Sequence, residues 1–155
     1  MKKLATLALI LIYLNVNAQS QIRASAGYKA IEIGYTYQDE DFLNFGFSAS
    51  VVDAGIVEKR ANKNDVNRNM HDLKSDVVPA LFGEVGGTFD SITITGKIGT
   101  AYLDQRINGI QEKQKLYLAV GIRFGLKVSE NAQINAGYDN INSALVGLTF
   151  NLNRL

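Results

Sequence analysis

The chain of 155 residues has no cysteine, one proline and one histidine. Without cysteine there is no disulfide framework, thiol nucleophile, iron–sulfur cluster or thiolate zinc site, and a single imidazole excludes an all-histidine metal site. Charge of one sign is also missing. There are 16 basic against 15 acidic residues, and 14 against 15 once Lys2 and Lys3 are set aside, so no electrostatic footprint exists for gripping DNA or RNA. What remains, 46% hydrophobic residues with 14 glycines, is the composition of one ordered domain rather than a disordered or collagenous chain.

The only long hydrophobic run is at the start. Met1-Lys2-Lys3 is a basic head, residues 4–14 are almost unbroken apolar, and Val16-Asn17-Ala18 places small or aliphatic residues before a cut after Ala18. A run of 11 residues is too short for a spanning helix, which needs about 20. Residues 1–18 therefore read as a cleaved secretory signal peptide and residues 19–155 as the mature domain. Gln19 follows the proposed cut, which leaves no N-terminal cysteine for a lipid anchor.

The mature chain alternates with a period of two. In residues 115–128 every even position is apolar, from Leu116 through Leu118, Val120, Ile122, Phe124 and Leu126 to Val128, while the odd positions include Lys115, Gly121, Arg123, Gly125 and Lys127. A helix scatters these sets around its circumference; a strand sends them to opposite faces. Similar alternation recurs around Ile22–Tyr28, Ile31–Tyr37, Leu43–Val51, Val77–Phe89, Ile92–Tyr102, Ala132–Tyr138 and Ala144–Leu152, which gives eight strands in all.

The connections alternate between long and short. Residues 38–42, 90–91 and 129–131 are tight, whereas residues 53–75 and 104–114 are long, with 29–30 and 139–142 as short members of the long-loop set. An antiparallel up-and-down meander puts alternate connections at opposite ends, as outer-membrane barrels do. The polar face is rich in Gly, Ser, Thr and Asn, which suits a narrow barrel interior. The apolar face carries Tyr28, Tyr102 and Tyr138 toward the long-loop end and Tyr37, Phe89, Phe124 and Phe150 toward the short-turn end, as two interfacial aromatic girdles would. A soluble lipocalin-like barrel, with the aromatics turned inward, is the competing reading.

On these grounds the chain resembles the small eight-stranded outer-membrane β-barrels of Gram-negative bacteria, the adhesin-like and porin-superfamily barrels. The ending Gly147-Leu148-Thr149-Phe150-Asn151-Leu152 resembles the family's C-terminal assembly signal, carried by Gly147, Phe150 and Leu152, although here Asn153-Arg154-Leu155 follow. The resemblance implies a multi-pass barrel in the cell outer membrane. Its implied partners are outer-membrane lipids and lipopolysaccharide and the barrel-assembly machinery.

Among the inward positions, Glu32, Glu84, Lys97 and Arg123 lie at similar distances from the short-turn end, with Arg23 near them. A two-residue Asp90-Ser91 turn sets Phe89 against Ile92 and hence Glu84 against Lys97. Two readings follow: a structural plug of paired charges, or a gated ion path opened by exchanging partners. His71, beside Asp72 and near Ser75, invites comparison with a hydrolytic triad, but adjacency in sequence is not triad geometry. Asp65, Asn67, Asn69 and Asp76 are spaced faintly like a calcium loop, yet Met70 stands where the turn needs glycine and Asp76 where the last ligand is Glu. Gly96-Lys97-Ile98 is no phosphate loop. No catalytic residue, metal ligand or cofactor is assigned.

The segment 53–75 holds five Lys or Arg, four Asp or Glu and four Asn, the composition of a solvated loop, and long loops on rigid scaffolds commonly carry binding. The expected function is thus structural or surface-binding, adhesin-like, through loop 53–75, with an unidentified surface ligand. A small ion or solute channel, an accessory barrel of an envelope secretion or assembly complex, and a membrane lipid hydrolase are the alternatives.

Overall fold

The structure, a computed structural model, describes residues 19–39, 42–57, 71–73, 76–107 and 111–152; the expected leader lies outside them. The described residues form nine strands in order: β1 (Gln19–Gly27), β2 (Ala30–Gln38), β3 (Leu43–Asp53), the short β4 (His71–Leu73), β5 (Val77–Phe89), β6 (Ile92–Ile107), β7 (Gln111–Lys127), β8 (Ala132–Asp139) and β9 (Ser143–Asn151). The eight long strands pair antiparallel with their neighbours in the chain, and β1 pairs β9 from Gln21↔Asn151 to Gly27↔Leu145, closing the sheet. Closure leaves every long strand a partner on both sides, as lipid requires, since it offers no hydrogen bonds to an open edge.

The outside is apolar. Ile98, Leu118, Leu81, Phe47 and Val146 are each more than 60% exposed, while Arg23, Glu32 and Asp139 are 1% exposed. This inversion follows the period-two pattern strand by strand, because a pleated strand sends successive side chains to opposite faces. A soluble barrel would place its charges outside and its large aliphatics within. A lipocalin-like arrangement is therefore excluded.

The Asp90-Ser91 turn brings Phe89 opposite Ile92 and Glu84 opposite Lys97, with Asp90 at φ 55°. Short polar side chains tolerate that left-handed conformation, and such two-residue turns match the twist of a hairpin. The connections differ from expectation in three places. Tyr28 lies in the turn with Lys29 rather than on a strand, so that connection is residues 28–29. The expected loop 104–114 is mostly strand: β6 and β7 stay paired to Ile107↔Gln111, and only residues 108–110 lie outside the description. The sequence Asp104-Gln105-Arg106 carries no apolar parity from which to read this pairing. Finally, β4 pairs with β6 at the loop end, within a segment expected to be irregular.

The interior is not polar throughout, as the pattern had suggested. Toward the loop end it is an apolar stopper in which Val52, Val78, Phe82, Leu103 and Leu145 pack together. Residues 54–57 form a helical turn that tucks Ala54 and Val57 into this group, and Ile141, from the β8–β9 connection, is fully buried there. Asp53 caps the turn by accepting the Gly55 N–H at 3.1 Å, and the Ala54 N–H reaches the Asp76 carbonyl at 3.0 Å. The beginning of segment 53–75 is thus a buried element, contrary to its polar composition overall. At the rim, Lys29 donates to Asp53 at 3.1 Å, and this carboxylate holds the ammonium above its usual range.

Candidate functional site

Below the stopper, six charged side chains from six strands meet in the barrel. Arg123 makes a two-pronged contact with Glu84, Nη2 to Oε2 at 2.7 Å and Nη1 to Oε1 at 3.0 Å. Arg23 reaches the same carboxylate at 2.7 Å and also donates to Glu32 at 3.2 Å. Ser48 donates to Glu84 at 2.7 Å. Lys97 bridges Glu32 and Asp139, the latter at 3.0 Å, with its ammonium 4.1 Å from the Phe82 ring centre. Three cations thus face three carboxylates, and the layer is neutral. Charges taken out of water are tolerable only when paired and hydrogen-bonded in this way.

The structure therefore brings together Arg23, Glu32, Glu84, Lys97 and Arg123. Glu84 and Lys97 are backbone neighbours, yet each finds its ion partners elsewhere: Glu84 with the two guanidiniums, Lys97 with Glu32 and Asp139. Sequence reasoning missed Asp139. Its parity, shared with Gln133 and Asn135, was legible, but its place at a strand end led to its assignment to a connection. Asp139 links two structures: one oxygen accepts the N–H groups of Ile141 and Asn142 at 3.0 and 2.6 Å, and the other receives Lys97. The turn that inserts Ile141 into the stopper is thereby tied to the charged layer.

One glycine makes room for this arrangement. A Cβ at Gly34 would lie 2.3 Å from Nη2 of Arg23, so the guanidinium occupies the space a side chain would take. Toward the short-turn end the interior becomes amide-rich. Gln21 donates to Gln38 at 2.8 Å, Asn151 to Gln19 at 2.7 Å, and Asn135 to Thr149 at 2.7 Å. This end opens into a cavity of about 140 Å³.

The seven expected girdle positions lie on the outer surface or at its edge. Tyr28, Tyr102 and Tyr138 are exposed toward the loop end; Phe89, Phe124 and Phe150 are exposed toward the short-turn end, and Tyr37 is half-buried there. Phe42 joins the lower set, packing edge-on against Phe89 with ring centres 4.5 Å apart. Gly147 sits at the β1–β9 seam, where a Cβ would lie 2.3 Å from the Ala24 carbonyl oxygen. Phe150 faces outward, and Leu152 is exposed just past the strand. His71 and Asp72 belong to β4, whereas Ser75, Asp65, Asn67, Asn69 and Met70 lie outside the described residues; Asp76 is exposed.

No family model and no curated protein matches the chain. Solved structures do. The backbone of the Yersinia pestis outer membrane protein Ail in a phospholipid bilayer nanodisc superposes with a TM-score of 0.54 at 13% identity, covering 88% of this chain and all (100%) of that one. The chain has the fold of the small eight-stranded outer-membrane β-barrels. A de novo designed transmembrane β-barrel matches it with a TM-score of 0.51 at 11% identity, over 88% of this chain and 97% of the design. The N-terminal β-barrel domain of Pseudomonas aeruginosa OprF is also similar, at 0.49 and 13%, over 87% of this chain and 96% of that one. At such identities the likeness is one of fold. This barrel, with its apolar exterior and closed sheet, is consistent with residence in the outer membrane of a Gram-negative bacterium.

Proposed function

We propose that this barrel is a membrane-anchored scaffold that acts at the cell surface through its loop end, in a structural or adhesin-like role, and not through its lumen. The observation that carries this reading is the filled interior: an apolar stopper lies above a neutral layer of interlocked charges. A lumen occupied at two successive levels suits a rigid support. The same burial supports the plug reading of the charged residues over the gated path, since moving any of the six separates a desolvated ion from its partner.

In this reading the leader directs export and the assembly machinery inserts the chain through its C-terminal strand. Lipid and lipopolysaccharide then surround the apolar belt. Segment 53–75 supplies the contact surface, anchored at its start by the buried turn at residues 54–57 and held near its end by β4. Replacing residues 58–70 with a short Gly-Ser connection leaves both anchors intact. Cells displaying the full barrel should adhere to a second cell or bind lipopolysaccharide, and the shortened barrel should fold yet lose that binding. Undiminished binding by the shortened form would remove the loop from the account.

A further inference from the structure

The cavity at the short-turn end is not explained by a surface role. Thirteen of its fourteen lining residues carry a polar side chain. Six are carboxamides (Gln19, Gln21, Gln38, Asn131, Gln133 and Asn151), and four more are hydroxyl residues. Its three charges, Asp90, Glu130 and Lys127, leave a net negative rim, which disfavours phosphates and carboxylates.

Gln19, Gln21, Gln38 and Gln133 retain bonding capacity. Each has two donor hydrogens and a carbonyl with two lone pairs. The Gln21–Gln38 bond uses one donor of the first and one acceptor site of the second, and Gln19 uses only its carbonyl in the bond from Asn151. Gln133 has no side-chain partner among the described residues and lies over Gly125, where a Cβ would meet its amide nitrogen at 1.5 Å. One step deeper, Asn44 donates to the lining residue Thr88, and its own carbonyl oxygen is buried without a partner among the described residues.

We propose that this cavity is a binding site for a neutral sugar, one pyranose ring inserted from the short-turn end. Its 140 Å³ corresponds to about five waters at ~30 Å³ each, comparable to what one ring with its hydroxyls displaces. A ring of hydroxyls alternates donors and acceptors as the side chains of Gln19, Gln21, Gln38 and Gln133 do, and an acetamido substituent would add a further amide match. The charged layer closes the cavity above, so the site is a dead end and the ligand is held rather than passed.

The test uses the full chain refolded in detergent micelles, ¹⁵N-labelled, and titrated with N-acetylglucosamine, with glucose and with glucose 6-phosphate. Saturable shifts at Gly125, Gln133 and Thr88 with the two neutral sugars, and none with the phosphate, are expected. Gln133→Leu removes one ligand partner and should weaken binding about tenfold, the effect of one lost hydrogen bond. Gly125→Ala, which drives the Gln133 amide into the cavity, should weaken it similarly. Retention of the unboiled gel mobility shows that each variant is folded. Absence of saturable shifts in the wild-type barrel would overturn the proposal, as would equal binding by both folded variants or stronger binding of the phosphate.

Discussion

Replacing Glu84 with glutamine removes the negative charge that two guanidiniums share and leaves the layer with three cations and two carboxylates. Glu84 is 6% exposed, so solvent gives little relief. Breaking a buried pair by removing one partner typically costs about 3–5 kcal/mol, because the surviving charge stays desolvated. Arg123→Met alone creates the opposite imbalance and should cost a similar amount. In the double variant, Arg23 and Lys97 face Glu32 and Asp139, and neutrality returns. The two changes together should then cost about 2–3 kcal/mol less than the sum of the singles. The chain has no tryptophan, so tyrosine fluorescence and the fraction of unboiled protein with folded mobility would follow urea unfolding in lipid vesicles. Additive losses, or a Glu84→Gln barrel as stable as the wild type, would refute the neutral-layer argument.

Other expectations test separate parts of the fold. Ile98→Arg puts a cation on the lipid face about midway along β6 and should destabilise the barrel by about 2–4 kcal/mol in vesicles, while Ile98→Leu should cost under about 1 kcal/mol. Gly34→Ala forces the Arg23 guanidinium aside and should cost about 1–3 kcal/mol, a loss that Arg23→Gln in the same chain partly relieves; equal penalties with and without Arg23 would contradict that contact. In planar bilayers the wild-type barrel should show no steady conductance and Lys97→Gln should not change this, because the stopper still fills the loop end. Steady currents altered by Lys97→Gln would restore the gated path.

Much of this architecture was legible because lipid and lumen impose opposite demands on alternate residues. In β7, Leu118 and Val120 had to face outward and Arg123 inward, and the parity stated as much. The same pattern placed five of the six charges of the layer. It failed where that demand lapses. Beyond the lipid, the upper β6–β7 ribbon has no apolar face, so its strand character did not register. Inside the mouth, Val52, Phe82 and Leu103 sit on the polar parity, and the stopper they build with Ile141 depends on turns folding inward, which no period reveals. Asp139 was hidden for a related reason: a strand-end residue serves both turn and lumen. The amide cavity arises from side chains of several strands and the β7–β8 turn and has no linear signature.

The inversion of the barrel, apolar outside and charged within, is directly measurable because the sequence is free of cysteine. Single cysteines placed in turn at residues 116–126 of β7, spin-labelled in the barrel reconstituted into vesicles, report contact with lipid-soluble oxygen against a water-soluble nickel chelate. High oxygen accessibility at 116, 118, 120, 122, 124 and 126, with protected labels at the odd positions between them, is the predicted result. A uniform profile, or oxygen contact on the odd positions, would contradict the transmembrane barrel.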